Sequence, residues 1–347
     1  MKLGMVFVSL VVALLANNAG AQNIINAAGL TNPNAAPAPN SGEIKIDNQR
    51  DGPSWVAATP IPEPMGLGQT TAVADATGTT VYSIGGGIGG TLTATNSVRA
   101  YYFPLGAWFD VAPIPATPGL RAFGSAVEVG GFIYVFGGFD GTTIRSTTWI
   151  YDETNDVWST GANMPAPRFG SAVATDGSVI WVMGGFGGLM VGDETNTVWM
   201  YDPAADAFTT GFANLPTALG RIHAVELPDG NVHVFAGGFD GMNHFIYGTG
   251  TDSWVSAAPM PFGVTDPATV TDGNVIYLCG GGGPAPRGQG HTQIFDPGTG
   301  TWSQGPLMPA PAVDNTSGAI LIDGNIYVVG GFNGMTTVST NYSLTIF

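Results

Sequence analysis

The chain has 347 residues, 53 of them glycine and 25 proline, and a formal net charge of -16 from 25 acidic against nine basic side chains. That much glycine and proline leaves helices of ordinary length almost nowhere to form, so the chain reads as all-β. The excess of carboxylates repels nucleic acid and anionic lipid headgroups and excludes both as partners.

Met5 to Ala16 is an apolar stretch preceded by Lys2 and followed by Ala19-Gly20-Ala21. This is the pattern of a secretory signal peptide, residues 1–21, cut after Ala21. The stretch is too short to span a bilayer, and no cysteine stands near the cut to carry a lipid. The expectation is a secreted or periplasmic protein with no transmembrane anchor in its mature chain. Residues 22–50, which include TNPNAAPAPNSGE, read as a flexible Asn/Ala/Pro-rich linker. The body, residues 51–347, holds the single cysteine, Cys279. With no intramolecular partner for it, stability has to come from packing.

Along the body six apolar runs end in glycine pairs: Gly85-Gly86, Gly137-Gly138, Gly184-Gly185, Gly237-Gly238, Gly280-Gly281 and Gly330-Gly331. They are spaced by 52, 47, 53, 43 and 50 residues, a period that belongs to propeller blades. Each unit starts with a short strand such as Ser125-Ala126-Val127. A tight turn follows, with Gly130-Gly131, Asp176-Gly177 or Asp272-Gly273-Asn274. The second strand is apolar throughout (FIYVF, VIWVM, VIYLC), as a strand buried on both faces would be. A polar loop leads to a third strand with Tyr102, Tyr151-Asp152, Tyr201-Asp202, Tyr247 or Phe295-Asp296. The fourth carries Trp108, Trp158, Phe208, Trp254 or Trp302, before a proline segment such as NMPAPR. The sixth unit reaches Tyr342 with no aromatic fourth strand, and Trp55, in SWVAATPIPEP, is a fourth strand with no unit before it. The two fit each other, which predicts a closed ring.

Glycine pair, Tyr-Asp, Trp and Met-Pro-x-Pro-Arg, in that order, resemble the kelch-repeat proteins from Pro53 to Phe347, most closely in NMPAPRFGSAV with VIWVMGGF after it. Phe208 in place of Trp, Gly248 after Tyr247 and Ser343 after Tyr342 are departures within single blades. The resemblance implies a six-bladed kelch β-propeller of four-stranded antiparallel blades around a central channel, with the N-terminal strand around Trp55 completing the last blade. There is a more distant similarity to the exported kelch mutarotases that act on sialic acid.

The resemblance also implies where a ligand sits: on the face formed by loops after the glycine pairs and segments entering the inner strands. Arg121, Arg168 and Arg221 each stand sixteen positions before a glycine pair, in three consecutive blades. Their planar donor forks suit a carboxylate and would form an anion-capturing arc; alternatively they tie blades together. Phe139-Asp140-Gly141, Phe239-Asp240-Gly241 and Phe332-Asn333-Gly334 follow three of the pairs. Asp or Asn before Gly is a turn residue, and with the phenylalanines it would also line a mouth where a sugar ring stacks. Glu226, Asp240 and His244 are the candidates for proton transfer. No His-x-His or Cys-x-x-Cys spacing appears, so neither metal nor cofactor is expected. Copper-radical oxidases on kelch-type propellers use Tyr, Cys and His ligands, but Cys279 sits in an interior strand and reads as inert.

Three functions follow. The first is a secreted binding module recognising a carbohydrate or a protein through the loop face. The alternative is a sugar-acid mutarotase in which Arg168 or Arg221 holds the carboxylate. The third is a structural or adhesive surface component, resting on the linker and the acidic surface.

Overall fold

A strand that is buried on both faces must be covered by sheets on either side, and a ring of sheets supplies that cover for every member. In the computed structural model, residues 12–15, 54–60, 65–67, 79–88, 95–115, 124–190, 192–236, 241–282, 290–308, 319–332 and 337–346 are described. They form six four-stranded antiparallel sheets, the blades of a propeller, and a two-stranded ribbon of Met65–Leu67 with Gly87–Ile88. From the channel outward, blade three consists of Ala172–Thr175, Ile180–Met183, Val198–Asp202 and Ala207–Thr209. Blades two, four and five repeat this order, with innermost strands Ser125–Val129, Ile222–Glu226 and Ala268–Thr271. The second strands Thr80–Ile84, Ile180–Met183 and Ile276–Cys279 are buried at every residue.

Six apolar clusters sit between the blades, one at each boundary. Tyr82 and Ile133 belong to the cluster between blades one and two, and Phe136 and Tyr201 to the next. Trp181 packs with Val232, Phe235 with Leu278, and Tyr277 with Ile326. Val81 with Ile320 and Ile322 closes the circle between blades six and one. As expected, the strand Trp55–Ala58 completes blade six, pairing Trp55 with Leu344 and Ala58 with Asn341.

Hydrogen bonds tie blades two to six each to the one before it. Tyr151, Tyr201 and Tyr247 donate their hydroxyls to Asp156, Asp206 and Asp252 at 2.6–2.7 Å. The same carboxylate oxygens accept the backbone N–H of Ala112, Ala162 and Ala213, just past the outer strand of the preceding blade. The indole N–H groups of Trp158, Trp254 and Trp302 donate to the carbonyls of Ala112, Ala213 and Ala258. Trp55 makes the corresponding bond to the Pro306 carbonyl at 3.2 Å, so blade six is fastened to blade five as Trp158, Trp254 and Trp302 fasten theirs.

Blade one holds a difference from expectation. Its innermost strand is Val12–Leu15, from within the segment read as a signal peptide, paired antiparallel with Thr80–Ile84 so that Val12 faces Ser83 and Leu15 faces Thr80. A short apolar strand satisfies the open edge of Thr80–Ile84 through its backbone alone, whatever its role in targeting. The sequence TAVA at residues 71–74 matches SAVA at 171–174, which leads into the innermost strand of blade three, but lies outside the described residues.

Candidate functional site

The loops after the glycine pairs and the segments entering the innermost strands meet on one face of the ring. In blade three Phe169 and Phe186 pair as a two-way backbone bridge, and their rings stack at 5.0 Å. The Phe186 ring lies against Gly220, where a Cβ would overlap it, so glycine at that position lets the loop close down.

The backbone bonds between neighbouring blades establish which entry residues are equivalent. The Arg168 carbonyl accepts from the Gly138 N–H, and the Leu219 carbonyl accepts in the same way from Gly185. Leu219, not Arg221, is therefore the counterpart of Arg168. Arg221 stands two residues further on, at the place of Gly170, and all three of Gly170, Arg221 and Asp266 have left-handed φ of 61°, 60° and 52°. The equal offsets of sixteen conceal this for a definite reason. In blade four the left-handed turn of the first glycine is taken by Ala236, φ 71°, whose N–H bonds Asn243 as that of Gly184 bonds Thr197. Counting from Gly237 thus starts one residue late, and the blade-four hairpin adds one more.

The two arginines also differ in company. Arg221 and Asp266, with side chains 6% and 1% exposed, form an ion pair between blades four and five, with Nε to Oδ2 at 2.5 Å. Arg168 donates to the Pro167 carbonyl at 2.7 Å and more weakly to Thr197 Oγ1, and lies 4.8 Å over the Trp199 ring. Its Nε has no partner among the described residues, and burial lowers its pKa. Gly187 packs against the guanidinium, so the blade-three loop caps it. Arg221 is thus a blade tie and Arg168 a capped cation. Arg121 lies outside the described residues.

Other candidates are placed as follows. Phe139 is buried, 7% exposed, and bridges to Ile144, so its ring offers no stacking surface. Asp140 is committed to its own loop: Oδ1 accepts from the Thr142 and Thr143 N–H groups and the Thr142 hydroxyl, and Oδ2 pairs with Arg145. Although burial opposes it, these bonds hold the carboxyl far below its ordinary value. Phe239, Asp240 and Asn333 lie outside the described residues, and Phe332 is described only as the last residue of its strand.

The proton-transfer candidates are not with the arginines. Glu226 ends the innermost strand that Arg221 precedes, roughly 16 Å away along an extended backbone. Burial, with Asp176 and Asp229 nearby, pushes it up to about 7. His244 is buried against Phe235, Phe295 and Trp302, with its Nε2 2.9 Å from His233 Nδ1 and its Nδ1 3.2 Å from the Ala258 carbonyl. A carbonyl only accepts, so His244 carries its proton on Nδ1 and accepts at Nε2 the hydrogen bond that His233 Nδ1–H donates. Burial holds His233 at about 4 and, with its neighbour's charge added, His244 at about 3. Cys279 is fully buried, and burial raises its thiol. Among the described residues no cluster of three His, Cys, Asp or Glu is arranged to hold a metal.

Sequence reasoning missed Asp266, Arg145 and the interblade aspartates. Only the last left a readable signal: Tyr151–Asp156, Tyr201–Asp206 and Tyr247–Asp252 share one spacing of five.

These features define a closed six-bladed propeller whose inner strands line a channel and whose glycine-pair loops build one face. The chain belongs to the kelch-repeat family: the KLHDC2/KLHL20/DRC7 Kelch-repeats domain matches residues 52–238, more than half of it, and the Kelch motif matches residues 264–309. It is similar to Kelch-like protein 35 of Mus musculus, 29% identical over 245 residues that cover 70% of this chain and 40% of that protein. Kelch-like protein terF of Aspergillus terreus is 30% identical over 270 residues, covering 71% of this chain and 56% of that protein. Beta-scruin of Limulus polyphemus is 23% identical over 255 residues, covering 70% and 22%. The matched region thus spans well under two thirds of each of these relatives.

Proposed function

We propose that the propeller is an exported protein-interaction module that binds through the loop face of blades two and three. The observation that carries this reading is the way those loops are held. Asp140 spends both carboxylate oxygens on residues 142–145, and the following blade's loop is braced in the same manner by Asp193 and Glu194. Loops fixed before a partner arrives lose little conformational freedom on binding, which is what a recognition surface requires. Membership of the kelch-repeat family supports the same reading, and the N-terminal leader pattern supports export. For the carbohydrate and mutarotase readings, Phe139 is covered, the Arg168 guanidinium is packed under Gly187, and Arg221 and Glu226 stand at opposite ends of one strand.

Both lysines precede the body, so amine cross-linkers cannot report on it. A photo-reactive residue at Thr142 on the loop face, and another at Asn274 on the opposite hairpin face, serve instead in cells that make the protein. Partner adducts are expected at Thr142 and not at Asn274. Adducts at Asn274 alone, or glycan-array binding without any protein adduct, would overturn the reading.

A further inference from the structure

In the blade-three loop, described over residues 186–190 and 192–194, Leu189 and Met190 are exposed while backbone groups on either side of them are pinned. Gly187 N–H donates to the Asp193 carbonyl at 2.9 Å, and Met190 N–H to the Asp193 carboxylate at 2.7 Å. Gly192 N–H donates to Glu194 at 2.8 Å, and the loop base is tied by Thr195 to the Gly185 carbonyl through both its N–H and its hydroxyl. At the tip Leu189 is 47% and Met190 72% exposed, and on the next blade's loop Met242 is 48% exposed. Isolated apolar side chains on a surface need no explanation. Two adjacent ones, on a loop that Asp193 and Glu194 hold rigid through one carboxylate oxygen each, form a prepared contact.

Charge limits what this contact can receive. Among the described residues Arg99, Arg145 and Arg221 are each paired with an aspartate, and Arg168 lies beneath this same loop. The tip carries two carboxylates within four residues, on a chain of net charge -16, which also disfavours a second copy as the occupant.

The geometry points to Leu189 and Met190 as the anchor of a docking surface for a partner protein segment that sets apolar side chains beside lysine or arginine. The inference rests on the protein-binding reading above and specifies its partner's chemistry. The partner's apolar groups cover the loop tip, where unbranched methionine adapts to their shape, and its cations meet Asp193 and Glu194.

The test is selection of short random displayed peptides on the full chain, followed by binding of the enriched peptides to variants. Enriched sequences are expected to combine apolar residues with Lys or Arg and to bind less tightly as salt rises. They are expected to lose about tenfold or more in affinity for Met190→Glu or Leu189→Ser, while Val255→Glu, an exposed change on an outer strand away from the loops, has no effect. Unchanged circular dichroism and unfolding midpoints in the variants separate lost binding from lost fold. Enrichment of acidic peptides, or binding that survives both loop substitutions, overturns this inference and leaves the protein-binding reading standing. Enrichment of nothing overturns both.

Discussion

The half-buried Glu226 and the buried His233–His244 pair are titratable groups displaced in opposite directions, and they impose opposite slopes on stability. Glu226 sits at about 7 against an ordinary 4.5, so the folded state holds its proton more tightly than the unfolded chain. Its contribution is fully present below about 4.5 and is lost as pH rises through 7. The histidines sit at about 4 and about 3 against 6.5, so their contribution is present above 6.5 and is lost as pH falls toward those values. Stability should therefore peak in the mildly acidic range. Glu226→Gln is expected to raise the urea midpoint at about pH 8 and to lose that advantage near pH 5. The double change His233→Phe with His244→Phe is expected to flatten the fall on the acid side. Variants whose midpoints run parallel to the wild-type curve across this range would sink the assignment.

At the scale of the blade, the Tyr–Asp fastening is a unit whose parts are worth little separately. Blade five shows this in the native chain: Phe295 stands in place of the tyrosine, and five residues later Gly300, φ 68°, stands in place of the aspartate. Where the hydroxyl is missing the carboxylate is missing too, and glycine takes the same left-handed backbone without a side chain to strain it. Tyr201→Phe is expected to cost about 1 kcal/mol, one hydrogen bond, and Asp206→Ala about 1–3 kcal/mol, because it strands the Tyr201 hydroxyl and leaves a non-glycine residue at φ 47°. The pair Tyr201→Phe with Asp206→Gly, which copies blade five, should cost clearly less than the two single losses added. Full additivity in denaturant unfolding would show that the two side chains do not act together. Elements of this kind were half legible. The periodic glycine pairs, the apolar second strands and the orphan Trp55 announced six blades and their seam, because each is a local pattern repeated at a fixed period. The arginine arc was misread because a count along the chain does not register that Ala236 turns where a glycine is expected. The Arg221–Asp266 pair was invisible because its members are 45 residues apart and meet only through the ring.

For the whole molecule the question is what closes blade one. Its innermost place is held by Val12–Leu15, inside the apolar run that has the form of a leader, while TAVA at 71–74 carries the repeat's own version of that strand. Thr80–Ile84 needs a partner along that edge, since its residues are buried and an unpaired backbone there would leave donors and acceptors without water. If export removes residues 1–21, the edge stays covered only if the repeat segment takes the place. The chain beginning at Gln22 is therefore expected to unfold in one cooperative transition with a midpoint close to that of the full chain. The amides of Thr80–Ile84 that face the channel are expected to stay protected from hydrogen exchange. Trp55→Ala in the same chain is the contrasting case: it removes the indole bond to Pro306 and the packing against Tyr277 and Tyr342, and should cost about 3–5 kcal/mol at the seam. If instead the Gln22 chain exchanges freely at Thr80–Ile84 while Trp55 still holds blade six, the segment Val12–Leu15 is a working strand of the propeller, and the leader reading is wrong.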